Sequence, residues 1–227
     1  MLETLILGFL LGASVPVIAR RFGKFIPTDP GETICRLIHI PRFPKGGSPK
    51  RAQLLRKTWG KLGLYAVVWG VILAALFAVV NLNFPVEQAP WLKAFIYILA
   101  LLTAIDKRFF LLPDVLTVPL LILGFSFNII TQAISPTEAI IGTVYGYLVP
   151  TIAVLATYKF IQNGFGGGDV KMLAALGAWF GLQGVTAVLM ISVALFALGW
   201  LIQRKRSDAY GPYLAIGALI VLFTRLY

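Results

Sequence analysis

The sequence predicts an all-α polytopic membrane protein of about eight transmembrane helices. Both termini are expected outside, on the periplasmic side, with a large cytoplasmic loop between helices 1 and 2. Three observations carry this. First, 59% of the 227 residues are hydrophobic and only 13% are charged, against about 25% charged in an ordinary soluble domain. A soluble fold of this size cannot hide so much apolar surface, so its solvent is lipid. Second, apolar runs recur at close to the roughly 20 residues that a membrane helix needs. Third, Lys and Arg are sorted to one side of those runs, as expected for cytoplasmic loops.

The first run, 2–19, ends in Arg20 and Arg21. A secretory signal places its basic residues before the apolar stretch, so the reversed polarity reads as a retained helix. The segment 20–61 is the one sizeable polar insert, and it carries Pro27, Pro30, Pro41, Pro44, Pro49 and Gly46-Gly47. Those residues favour turns, with a short helix expected to begin near Ser48 and run into the second span. The remaining spans are expected at 62–81, 91–106, 115–132, 138–157, 169–182, 185–203 and 212–226. The chain therefore reads as a single polytopic domain over 1–227.

Eighteen of the twenty Lys and Arg fall in 20–61 or at Lys107, Arg108, Lys159, Lys171, Arg204, Lys205 and Arg206. Only Lys93 and Arg225 lie on the other side. That sorting sets the expected orientation and accounts for most of the net charge of +11. No nucleic-acid partner is needed. The basic loop suits anionic lipid headgroups instead.

Cys35 is the only cysteine and His39 the only histidine. A Cys-rich zinc site and a nucleophilic triad are both excluded, and no metal is expected. Chemistry must come from the nine acidic residues. Glu3, Glu87 and Glu138 read as solvated charges at outer ends or loops, Asp29 and Glu32 as turn or cap residues. Asp208 reads as the counter-charge to Arg204-Lys205-Arg206.

Asp106, Asp114 and Asp169 are different, because each stands at the boundary of a span, where an ionisable group is costly and functional by default. Asp114 follows Pro113 and is also explained as the N-cap of the next helix. Asp169 has the same structural alternative. Asp106 resists it, since the C-terminal end of a helix disfavours a carboxylate. Gly164, Gly166, Gly167 and Gly168 remove side chains beside Asp169, which permits close approach of another backbone. The run lacks the Gly-Lys-Ser/Thr end of a phosphate-binding loop.

Three ordered stretches resemble type IV prepilin peptidases, a family of GxGD-type aspartic proteases. Ile105-Asp106-Lys107-Arg108-Phe109-Phe110-Leu111-Leu112-Pro113-Asp114 is similar to the family's first aspartate region. The stretch from Gly166-Gly167-Gly168-Asp169-Val170-Lys171 to Trp179 is similar to the second. Tyr210-Gly211-Pro212-Tyr213-Leu214-Ala215-Ile216-Gly217 is similar to its terminal segment. The resemblance implies a peptidase core over 91–227 with Asp106 and Asp169 catalytic. Asp114, Gly166, Gly168 and Lys171 would support them.

The substrates implied are type IV prepilins or pseudopilins in the inner membrane, cut between a short basic leader and an apolar helix. One carboxyl of the pair would hold a proton while the other activates water. Bifunctional members also N-methylate the new N-terminus using S-adenosylmethionine, a second activity that stays open here. The N-terminal third departs from the family pattern. Gly12-Ala13-Ser14-Val15-Pro16 lacks the usual Asn, and the two C-x-x-C pairs of many members are missing.

Two rival readings stand beside this one. Another GxGD intramembrane protease, of the presenilin type, would show a Tyr-Asp pair and a Pro-Ala-Leu motif. A proton-coupled transporter would place its aspartates near the membrane midplane.

Overall fold

In a computed structural model, residues 1–22, 49–157, 166–203 and 209–225 are described, and every regular element among them is an α-helix. Cys35, His39, Lys159, Gly164, Arg204, Lys205, Arg206 and Asp208 lie outside the described residues, as does most of the basic loop. The helices are α1 (Leu2–Phe22), α2 (Pro49–Asn83), α3 (Ala89–Phe109), α4 (Asp114–Thr131), α5 (Pro136–Thr157), α6 (Gly167–Gln203) and α7 (Gly211–Thr224). Among the described residues, six helical stretches are long and apolar enough to cross a membrane. The chain is a multi-pass membrane protein. Large apolar side chains such as Leu64, Val71, Ile129, Ile152 and Leu201 face outward, as a lipid-facing surface requires.

The helix expected near Ser48 joins the second span without a break, as the sequence predicts, whereas the third helix is longer than expected. Pro49 suits the first helical position, and neither proline nor glycine follows until Gly60. Helix α3 runs past Asp106 to Phe109, because nothing before Pro113 forbids it. Phe110 closes it in the left-handed conformation (φ 53°), donating its N–H to the Asp106 carbonyl at 2.8 Å.

The chain divides into two compact units, Met1–Phe84 and Pro85–Tyr227. In the first, α1 lies along α2. A Cβ at Gly12 would collide with the carbonyl of Trp69, the close backbone approach that small residues allow between membrane helices. Asn81 Nδ2 donates to Thr4 Oγ1 at 2.7 Å and ties one end of the pair.

The second unit is organised around α6. Gly142 and Gly146 of α5 lie against Gly177, Gly181 and Leu173 of α6, and Cβ atoms at Gly142 or Gly177 would strike the opposing backbone. Both glycine pairs are spaced by four, so each lies along one helix face. At Gly181 the backbone of α6 turns to φ 66°, ψ −167°, a conformation that a side chain would make costly. Asn128 of α4 reaches the turn just before this break: its Nδ2 donates to Ala178 O at 2.7 Å and Trp179 O at 3.3 Å. Trp179 is buried between Phe95 and Phe127, with ring centroids 4.6 and 5.1 Å away, and its Nε1 donates to Leu120 O at 2.8 Å. Helix α7 packs against both α3 and α6.

Candidate active site

The three expected aspartates occupy different settings. Asp106 lies on the last turn of α3 and is buried, at 5% exposure. Its Oδ2 accepts the backbone N–H of Gly211 at 2.8 Å. That amide opens α7. Pro212 has no N–H to offer, while the N–H groups of Tyr213 and Leu214 turn back to the Tyr210 carbonyl. Gly211 is required here by space, since a Cβ would stand 2.7 Å from Asp106 Oδ2.

Asp169 lies in the first turn of α6. Its Oδ2 accepts the N–H of Gly166 at 3.1 Å, and the Gly166 carbonyl accepts the N–H of Asp169 at 3.0 Å. This reciprocal closure follows the logic of a capping box, with the carboxylate reaching back from the third helical position. The carboxylate therefore closes the helix start, as the structural alternative for Asp169 expects, and it lies within electrostatic reach of Asp106. Gly168 is constrained by space, because a Cβ there would meet Leu112 Cβ at 2.8 Å. Gly167 faces open space, and nothing in the structure explains its lack of a side chain.

Asp114 is not the N-cap that the sequence suggests. Pro113 takes that position with extended backbone (φ −74°, ψ 138°), and no side chain caps the helix. Asp114 is instead the first helical residue, and both of its carboxylate oxygens accept from Lys171 Nζ at 2.8 Å. Lys171 is two residues from Asp169, so it points away from that carboxylate and across to α4.

Tyr210 and Ser192 complete the surroundings, and neither was singled out as a site residue from the sequence. Tyr210 Oη and Ser192 Oγ are 2.8 Å apart. Ser192 directs its proton to the Leu189 carbonyl at 2.9 Å, which leaves Tyr210 as the donor between the two hydroxyls. Burial pushes the Tyr210 phenol up to about 12; the Ser192 contact opposes that rise and the nearby Asp169 carboxylate adds to it. The phenol thus stays neutral at physiological pH. The signal in the sequence was Gly211-Pro212, a glycine directly before a proline that starts a helix.

Comparison with known proteins gives a consistent family. Residues 93–202 match the sequence model of the type IV leader peptidase family. A prepilin leader peptidase/N-methyltransferase of Escherichia coli (strain K12) is 40% identical over 146 residues, covering 61% of this chain and 64% of that protein. The protein of the same name from Aeromonas salmonicida (strain A449) is 40% identical over 135 residues, covering 56% and 46%. One from Xanthomonas campestris pv. campestris is 39% identical over 133 residues, covering 55% and 46%. The chain spans about half the length of several relatives it matches. No solved structure matches.

Proposed function

We propose that the chain, whose residues 93–202 match the sequence model of the type IV leader peptidase family, is a membrane aspartic endopeptidase of that family. It cuts the short basic leader from type IV prepilins or pseudopilins at the cytoplasmic face of the inner membrane. The observation that carries the reading is the pairing of Asp106 and Asp169. They come from two different helices, Asp106 buried at the end of α3 and Asp169 in the first turn of α6, within electrostatic reach of each other.

Both termini lie outside in this reading, and eight helical segments cross or enter the bilayer. The break at Gly181 supports that count. An unbroken 36-residue helix from Gly167 to Ile202 would be about 54 Å long, far beyond the ~30 Å hydrocarbon core. Segment 91–227 forms the peptidase core, and the basic loop 20–61 lies on anionic headgroups.

In the reaction, one carboxylate removes a proton from water as the water attacks the scissile carbonyl. The other, protonated, donates to the carbonyl oxygen as charge develops there. Collapse of the tetrahedral species breaks the C–N bond, and the leaving amine takes a proton from the pair. The substrate's basic leader stays in water and its apolar helix stays in lipid, so the bond between them meets the carboxylates at the boundary.

The names of the relatives raise S-adenosylmethionine as a cosubstrate. The apolar groove of about 480 Å³ between α1 and α2, lined by Leu5, Ile6, Phe9, Leu10, Val71, Ala74 and Ala75, offers it almost no polar surface. The groove does not fit that group, and no methyl-transfer step is assigned to it.

The test is co-expression with a prepilin, comparing wild type with Asp106→Ala and Asp169→Ala. Leader removal by wild type alone is expected, and processing by either folded variant overturns the assignment. Detergent-solubilised enzyme separates the transporter reading, since proteolysis needs no sealed vesicle.

A further inference from the structure

The first turn of α7 lies beyond the residues that match the family model, and it bonds Asp106 directly. Two features meet at Gly211. Its N–H reaches Asp106 Oδ2 at 2.8 Å in a buried setting, and any side chain there would intrude on that same oxygen at 2.7 Å. A backbone amide cannot rotate away as a side-chain donor can. Its direction is set by the residue before it.

That residue is held from two sides. The Tyr210 hydroxyl is bonded to Ser192 Oγ at 2.8 Å, and Ser192 is fully buried in the second half of α6. The Tyr210 ring stands edge-on to Phe196 of the same helix, with centroids 5.5 Å apart. Helix α7 packs against α3 as well as α6. A continuous path of contacts thus runs from Ser192 through Tyr210 and Gly211 to the carboxylate of Asp106.

We propose that Ser192, Tyr210 and Gly211 form a positioning relay that fixes which way the Asp106 carboxylate points. Gly211 holds Oδ2 through its backbone N–H. The Tyr210–Ser192 hydrogen bond holds the peptide plane that carries that N–H. This rests on the reading of Asp106 as catalytic, and none of the three residues touches substrate.

The experiment uses the full chain in detergent with Tyr210→Phe, Ser192→Ala and Gly211→Ala. Gly211→Ala is expected to lower kcat for leader cleavage about a hundredfold, the scale of a misplaced reacting group. KM should stay within about threefold, because ground-state binding is not involved. Tyr210→Phe and Ser192→Ala each remove the Tyr210–Ser192 hydrogen bond, which corresponds to roughly threefold to tenfold in kcat; Ser192→Ala also removes the Ser192 bond to the Leu189 carbonyl. The double variant should lose no more than Ser192→Ala alone, since Tyr210→Phe deletes a bond that Ser192→Ala already removes.

Isotope-edited infrared spectra, with the Asp106 band identified by subtraction of Asp106→Asn, give a readout independent of turnover. The band should shift in all three variants. An unmoved band in Tyr210→Phe, which keeps its volume and folds, overturns the relay. So does a loss confined to KM, or a double variant whose losses multiply. If the wild type cleaves no prepilin, the peptidase reading fails, and the infrared comparison still decides the positioning.

Discussion

Asp106 and Asp114 stand eight residues apart on either side of one short connection, and the fold treats them in opposite ways. Asp106 is 5% exposed and bound by a backbone amide from α7. The Asp114 side chain is 61% exposed and bound by Lys171, itself 49% exposed. A buried carboxylate must have a partner with fixed geometry, because losing it leaves a polar group unsatisfied away from water. An exposed ion pair gains little, since water and salt compete for both members. The comparison fits the proposed chemistry at Asp106, while Asp114 ties α4 to the start of α6.

The largest effect should come from the buried side of that comparison. Asp106→Asn and Asp169→Asn are each expected to lower cleavage by about a thousandfold or more, within the range of lost acid–base catalysis. Both variants should still insert and retain their helical spectra, because Asn preserves the shape of the side chain. Processing of a prepilin at near wild-type rate by a folded variant would return Asp106 to a merely structural role. The difference from Asp114 would then be one of burial only.

A second expected effect concerns what holds the buried site together. Gly177→Leu puts a large side chain where α5 and α6 touch backbone to backbone. Overpacking of this kind typically costs about 1–3 kcal/mol and at times more. Thermal denaturation in detergent should show a clearly lowered midpoint, with cleavage reduced in step because α6 carries Asp169. An unchanged midpoint would mean that the two helices do not rely on that contact.

The unequal treatment of the two aspartates was only half legible in the sequence. Scarce acids at span ends are conspicuous in a chain with so few charges, so Asp106, Asp114 and Asp169 all stood out. The doubled apolar run around Gly181 also announced two segments, and the fold turns there. What the sequence could not show is contact across distance. Asp106 looked badly placed at its own helix end, because the amide that satisfies it comes from Gly211, 105 residues later. Asp114 looked like a cap because Pro113 precedes it, yet Pro113 itself takes the cap position. Asn128 went unremarked as one polar residue in an apolar span. Its partners, the Ala178 and Trp179 carbonyls just before the break in α6, are visible only in the fold.

The smallest expected effect is at Asp114. Asp114→Asn and Lys171→Met remove the exposed pair from either side. Asn at the first helical position forgoes the small benefit of a negative charge near a helix N-terminus, on the order of 0.3–1 kcal/mol. The pair itself contributes roughly 0–1 kcal/mol by analogy with other exposed pairs. Cleavage should therefore fall only a few-fold in each variant, and the double variant should fall no further than the lower single one, because both remove one shared contact. Raising the salt concentration should reduce the wild type toward the variants, since exposed charges are screened within about 10 Å at 0.1 M ionic strength. The variants themselves should respond less. The same titration separates the two carboxylates, because the Asp106 contact is made to a buried backbone amide that ions do not reach. A complete loss of cleavage in folded Asp114→Asn, insensitive to salt, would move Asp114 into the reacting group and erase the contrast between the two sides of the connection.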